Sequence, residues 1–236
     1  ITNYQDLVSQ IEQVDGVVAA SPFIYYKAAI SSASAGDGII VRGIDPELER
    51  KTADIASTIQ FGHYTLSPVL EDNDTLPTML MGKNLAERLG VAVGSPVVLY
   101  SLRGEDLRKN TRPRIAKFII SGIFETGMYE FDAEMAYISI PAAQDLFRLG
   151  DAVTAVHMKL KDIYLAETIT PVLDQKLGFK YDVVPWNILH RNLFTWIAIE
   201  KKILFLGFIL IVIVAAFSII STLVMLTMEK RSEIGI

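Results

Sequence analysis

The chain contains no cysteine, which excludes disulfides, thiolate metal sites and a cysteine nucleophile. Histidine is scarce. His63, His157 and His190 stand apart, without the HExxH or paired spacing that converging metal ligands require. Basic charge is not in excess either: the formal net charge is −5 and the pI about 5.3, which argues against a nucleic-acid footprint. A phosphate loop is missing. In MGKN (81–84) Lys83 is followed by Asn84 where Ser or Thr is needed, and Pro77 stands where the leading glycine belongs. EDND (71–74) lacks the glycine and distant glutamate of a calcium loop and reads as a solvated turn. GSPVV holds no nucleophile elbow.

Glu130, Asp132 and Glu134 in YEFDAE share one face if that stretch is extended. Neighbouring carboxylates can raise one another's pKa and act as acid and base. No nucleophile or oxyanion donor accompanies them, so a solvated hairpin corner is the simpler reading. The chain is expected to be no enzyme and to hold no metal or cofactor of its own.

Apolar residues are abundant, at 51%, with a mean hydropathy of +0.35, and the excess is local. From Ile203 to Met228 no charged residue occurs. At about 1.5 Å per residue this is roughly 39 Å of helix, more than the roughly 30 Å hydrocarbon core demands. A buried core helix seldom stays apolar on every face for so long. A membrane span is therefore expected at 203–228.

The preceding residues have ordinary polarity and suffice for one or two compact domains. Asn3 is placed to cap a helix over Tyr4 to Val14, with Leu7, Val8 and Ile11 on one face. VVAASPFIYYKAAI (17–30) reads as β structure interrupted near Pro22, followed by a strand at Ile39 to Ile44. A similar order returns later: strand Val153 to Leu160, helix Leu165 to Leu177, a stop at Gly178, and strand Tyr181 to Val184 before Pro185. Two such αβ units suggest a split βαβ arrangement whose first strand would precede Ile1.

Between them, TMLMGKNLAERLGVAVGSPVVLYS (78–101) reads as strand, a helix Lys83 to Leu89 closed by Gly90, a turn at Gly94, and strand. Further strands are expected at Ile115 to Phe124 and Ala136 to Ile140, then a short helix with Pro141 in its first turn. The fold class expected is α+β: a split βαβ part from 1–45 and 152–186, and an inserted mainly-β subdomain at 46–151. A stalk helix (187–202), the span (203–228) and a charged end (229–236) complete the chain.

The stalk is amphipathic, with Leu189, Leu193 and Trp196 at helical spacing and Ile197 adjoining. It reads either as a stiff transmitter of displacement or as a passive anchor. Inside the span Ala215, Ser218 and Thr222, with Ile211 one turn earlier, make a face on which another transmembrane helix can pack closely. The loop RGEDLRKNTRPR (103–114) carries five basic and two acidic residues. Its Arg103, Arg108, Lys109, Arg112 and Arg114 either keep the tip soluble or meet an acidic partner. Charge leaves the orientation of the span open, because Arg191, Lys201 and Lys202 precede it while Lys230 and Arg231 follow. With Ile first and no signal peptide visible, a segment upstream of Ile1 is expected to have been removed.

Four segments in register resemble one family. VAAFSIISTLVMLTMEKRSEIGI (214–236), VRGIDPE (41–47), GKNLAERLGVAVGSPVVL (82–99) and ISGIFETGMYEFDAEMAYI (120–138) are similar to lipoprotein-releasing system permeases of the LolC/LolE type. The resemblance covers nearly the whole chain. It implies an ABC transporter permease of the bacterial inner membrane, multi-pass, with a MacB-like periplasmic domain between its first two spans. The implied partners are a cytoplasmic ATPase that binds ATP and magnesium, a second permease subunit, lipoprotein cargo and a periplasmic lipoprotein chaperone.

The resemblance also implies roles for residues. Glu229, Lys230, Arg231 and Glu233 would begin the segment that couples to the ATPase, and the loop at 103–114 stands where LolC-like members dock the chaperone. The face at Ile211, Ala215, Ser218 and Thr222 would meet a neighbouring helix or cargo. Rival readings are a MacB-like efflux or FtsX-like signalling subunit, and a single-span sensor or binding module.

Overall fold

The computed structural model describes residues 1–71, 74–101, 113–189 and 191–234. By its contacts the chain divides once, into Ile1–Lys176 and Leu177–Ile236.

The first unit opens with α1 (Tyr4–Glu12), which buries Leu7, Val8 and Ile11. Asn3 flanks it without capping through its side chain; its Nδ2 donates to the Asp6 carboxylate at 2.5 Å instead. The helix also stops short of Val14, whose N–H turns back to the carbonyl of Ile11. Next comes β1 (Val17–Ser31), a single strand where an interruption at Pro22 was expected. Pro22 is tolerated because its pairing with Val156 lies on one side, while on the other the ladder to β2 (Gly36–Ile44) ends at Phe23 and Ile44. Its missing N–H is not needed there. Two residues earlier, on that uncovered side, the N–H of Ala20 donates to Glu12 Oε1 at 3.2 Å.

After α2 (Pro46–Thr52) the chain forms β3 (Ile59–Gly62), the hairpin β4 (Val69–Glu71) and β5 (Asp74–Leu76), then β6 (Thr78–Gly82). Helix α3 (Lys83–Leu89) ends where its glycine signal places the end, with Gly90 left-handed at φ 63°. Strands β7 (Pro96–Ser101) and β8 (Ile115–Phe124) follow. YEFDAE forms the short helix α4 (Tyr129–Glu134), which corrects the extended reading and turns Asp132 away from Glu130 and Glu134. Asp132 is buried there. It accepts from Thr126 N–H at 2.8 Å, Thr126 Oγ1 at 2.9 Å and Gly127 N–H at 3.0 Å. Strand β9 (Met135–Ser139), α5 (Ile140–Phe147), with Pro141 in its first turn and Ser139 capping it, β10 (Ala155–Leu160) and α6 (Ala166–Leu177) complete the unit.

The strand order is β10-β1-β2-β9-β6-β8-β3, and β7 pairs with both β1 and β8. That double pairing closes β1, β2, β9, β6, β8 and β7 into a ring. Each ring strand turns alternate side chains inward. Ile24, Val41, Ala136, Met81, Phe118 and Leu99 belong to one buried cluster, which α3 and α5 join through Leu85 and Phe147. Leu80, Met135 and Tyr137 alternate with them and make a second cluster on the other face. Strands from both 1–45 and the expected insertion thus run in one sheet and line the cluster inside its ring. Outside the ring, the first half of β1 pairs with β10, and α6 buries Ala166, Ile169 and Leu173.

A tight contact in the first unit yields a prediction. Gly82 ends β6 against the main chain of Asp132, and a Cβ there would overlap the Asp132 carbonyl. Backbone cannot yield as a side-chain tip can, so Gly82→Ala is expected to cost about 1–3 kcal/mol in urea unfolding. Gly38→Ala, where a Cβ meets nothing within 4 Å, is the matched control and is expected to change stability by less than about 1 kcal/mol.

In the second unit, Tyr181 to Val184 is not a strand, and no other strand lies among the described residues of 177–236 for it to pair with. An extended segment without a ladder partner gains no β structure. Trp186–Leu189 forms one turn, α7, and Arg191–Ile234 a helix of 44 residues, α8, roughly 66 Å long at 1.5 Å per residue.

Candidate functional site

Two constellations carry polar or functional potential. The first is α8, whose segment Thr195–Lys230 is long and apolar enough to cross a membrane and has none of its apolar window buried. Ile211, Ala215, Ser218 and Thr222 recur at helical spacing on it. Thr222 Oγ1 donates to the Ser218 carbonyl at 2.9 Å, so this hydroxyl needs no outside partner. Trp196 and Ile197 on the helix, and Leu189 on α7, are exposed. Leu193 lies in the helix, as do Glu229, Lys230, Arg231 and Glu233, so the expected stalk, span and coupling segment are one helix from Arg191 onward.

Of the basic loop, Arg103, Arg108, Lys109 and Arg112 lie outside the described residues. Arg114 is tied down: its Nη2 donates to Asp145 Oδ1 at 2.6 Å and its N–H to Ser101 Oγ at 3.0 Å.

The second constellation was not foreseen. Asp45 and Pro46 start α2, with Asp45 Oδ1 accepting from the N–H groups of Glu47 at 2.9 Å and Leu48 at 3.2 Å. This cap points the next turn, with Glu49, into the sheet. Glu49 is fully buried. Its Oε2 accepts from Ser21 Oγ of β1 at 3.1 Å and lies 3.5 Å from His157 Nε2 of β10. Its Oε1 stands 3.4 Å from Arg42 Nη2 of β2. The Arg42 guanidinium lies 4.5 Å above the centre of the Phe23 ring and reaches His157 Nδ1 at 2.9 Å.

Proton positions follow from donor chemistry. Arginine can only donate, so His157 Nδ1 accepts and the imidazole is neutral with its proton on Nε2. That Nε2–H points at Thr52 Oγ1, 2.7 Å away. Burial and the Arg42 charge push His157 down to about 4. Burial pushes Glu49 up, against the pull of Arg42 and the Ser21 hydrogen bond. Tyr137 beside them is pushed up to about 12, chiefly by burial.

The stability consequence has a definite sign. An unfolded imidazole takes its proton near pH 6.5 and the folded one near 4, so the unfolded state binds more protons in that window. Stability is complete above about pH 6.5, falls as pH drops towards 4, and levels off below. Measured against His157→Gln, the loss is expected to reach no more than about 3 kcal/mol. Glu49 opposes it, gaining a proton more readily when folded.

The cluster binds one helix to three strands. Arg42 stood in the VRGIDPE segment without a role, and His157 among the scattered histidines. Asp45-Pro46 was the one local signal of α2.

The eight-stranded mixed sheet with its packed helices, followed in the chain by one helix long and apolar enough to cross a membrane, defines the class: an α/β domain with a candidate span. A model of the MacB-like periplasmic core domain matches residues 2–175, and the chain belongs to that family. Among curated relatives, it is 31% identical to the lipoprotein-releasing system transmembrane protein LolC of Neisseria meningitidis serogroup B, over 100% of this chain and 56% of that protein. It is 23% identical to LolE of Haemophilus influenzae, over 100% of this chain and 55% of that protein. The chain thus spans about half the length of these relatives. Among solved structures, the extracellular domain of the ABC-type transporter YknZ from Gram-positive bacteria aligns at a TM-score of 0.48 and 15% identity, over 78% of this chain and 89% of that one.

Proposed function

We propose that the chain is part of a transmembrane permease subunit of a lipoprotein-releasing ABC transporter in the bacterial inner membrane, with residues 1–176 on the periplasmic side. The observation that supports this most is the alignment with LolC along the whole chain, apolar helix included. In this reading a separate cytoplasmic ATPase binds ATP and magnesium, and a second permease subunit packs beside the face of Ile211, Ala215, Ser218 and Thr222. Nucleotide-driven movement reaches Glu229, Lys230, Arg231 and Glu233. It travels along α8 through Trp196, Ile197 and Leu193 towards Leu189, and the periplasmic domains expel a lipoprotein to a chaperone. The chain itself performs no covalent chemistry.

The test is to purify the full-length protein with its ATPase and identify what accompanies it by mass spectrometry. Acylated lipoprotein is the expected companion. A peptidoglycan-hydrolase activator in its place would refute the reading.

The basic loop supplies a second measurement. If it docks the chaperone, replacing Arg103, Arg108, Lys109, Arg112 and Arg114 by Ser slows chaperone capture at low salt by about tenfold or more, because charge steering acts on the association rate. Unchanged capture would exclude this loop as the docking element.

A further inference from the structure

The proposed transport role leaves the buried polar cluster without a task. Solubility does not require it, and apolar residues of similar volume are often as stable as a buried ion pair. Its geometry is unusual in one respect. Arg42 on β2 reaches across the Phe23 ring of the intervening β1 to bond His157 on β10, so one side chain ties together two strands that do not pair. We propose that Arg42, Glu49 and His157 form an acid-responsive latch, which holds β10 to β2 while His157 is neutral and releases Arg42 when the imidazole takes a proton.

The chemistry of the two nitrogens makes the latch two-state. In the closed arrangement Nδ1 accepts from Arg42 Nη2 at 2.9 Å. Protonation places an N–H on Nδ1, and two donors then face each other with no acceptor between them. The buried charge also becomes unbalanced, because Arg42 and His157 are then two cations with at most one carboxylate, that of Glu49, between them. Burial makes Glu49 take a proton more readily as well, so in acid its pull on Arg42 weakens just as the imidazolium repels the guanidinium, and Arg42 is let go.

The other groups around the cluster come from α2, β1, β2 and β9. α2 contributes Glu49, with Arg50 stacked on Tyr64 and Glu47 at its first turn. β2 contributes Arg42, β9 contributes Tyr137, and β1 offers uncharged Ser21 and Phe23. Both tyrosines are pushed up to about 12 by burial, so neither ionises in acid. Arg42 Nε and Glu49 Oε1 are buried without a hydrogen-bond partner among the described residues. The closed latch therefore leaves capacity for another arrangement.

Hydrogen–deuterium exchange on the full-length protein, with labelling times corrected for the pH dependence of intrinsic exchange, tests the latch between about pH 7 and pH 3.5. Peptides covering 46–52 and 155–160 are expected to gain exchange in a step with its midpoint at about 4. His157→Gln, whose amide can accept from Arg42 and donate to Thr52 without titrating, is expected to lose the larger part of that step, keeping only what Glu49 contributes. An identical step in both proteins, or no step in the wild type, would overturn the latch.

Should the variant not fold, the wild type suffices. Diethylpyrocarbonate labels neutral imidazole, and the labelling of His157 by peptide mass spectrometry is expected to follow the same midpoint. A midpoint near the ordinary value of about 6.5 would show that Arg42 does not hold the ring.

Discussion

Glu49→Ala is expected to lower the unfolding free energy of the full-length protein's first unit by about 3–5 kcal/mol, the usual result of stranding one half of a buried ion pair. Domains of this kind keep only about 5–15 kcal/mol in all, so the variant should unfold at markedly lower urea or temperature, or fail to accumulate. The size of the effect comes from Arg42. Its Nη2 loses the carboxylate at 3.4 Å, and a guanidinium that cannot shed its proton stays half-buried without a counter-charge. Ser21, itself fully buried, loses its acceptor at the same time.

The double variant Arg42→Met/Glu49→Leu separates this account from simple packing loss. It removes both charges and is expected to recover most of the stability. Urea midpoints of the wild type, single and double variants decide the matter. A double variant no better than Glu49→Ala would mean that the cost lies in volume and shape, with the charges incidental.

If the chain serves the transport role proposed above, inserting two glycines after Lys202 is expected to reduce ATP-driven lipoprotein release by about tenfold or more while ATP hydrolysis continues. The estimate is mechanical. α8 runs without interruption through this point, and a helix transmits axial displacement and rotation only while its hydrogen-bond ladder is continuous. Each glycine costs about 1 kcal/mol of helix relative to alanine and loosens the backbone. Two alanines inserted at the same place keep the ladder but rotate the upper face by about 200°. Comparing the two insertions separates loss of stiffness from loss of register. If both insertions release lipoprotein at the wild-type rate, α8 is an anchor and the force takes another route.

Local signals carried much of the architecture. Gly90 ended α3 at the expected residue because a left-handed position there favours glycine, and Pro141 opened α5 because its missing N–H costs nothing in a first turn. The 44-residue α8 was visible in its unbroken apolar run. The failures had one origin. Tyr181 to Val184 alternates as a strand should, yet a strand exists only where a neighbour pairs with it. Pro22 looked like a break, but whether a missing N–H matters depends on which edge faces a partner. YEFDAE became helical although alternation allowed an extended face.

The candidate site divides in the same way. The helical faces of α8 could be listed from spacing, since residues four apart meet on a helix whatever surrounds it. The Arg42 and His157 contact joins residues 115 positions apart, and no period or motif marks such a pair.

By itself, then, the sequence determined what depends on neighbours along the chain: a run at 203–228 long and apolar enough to cross a membrane, and helices punctuated by Gly90 and Pro141. The tertiary structure alone decided that β7 joins β1 to β8 and closes the ring, so that strands of both expected subdomains line it. It also decided that Glu49, an ordinary acidic residue on a short helix, became the buried counter-charge of Arg42. Strand pairing and ion pairing are contacts through space, and their energy depends on what arrives on the far side.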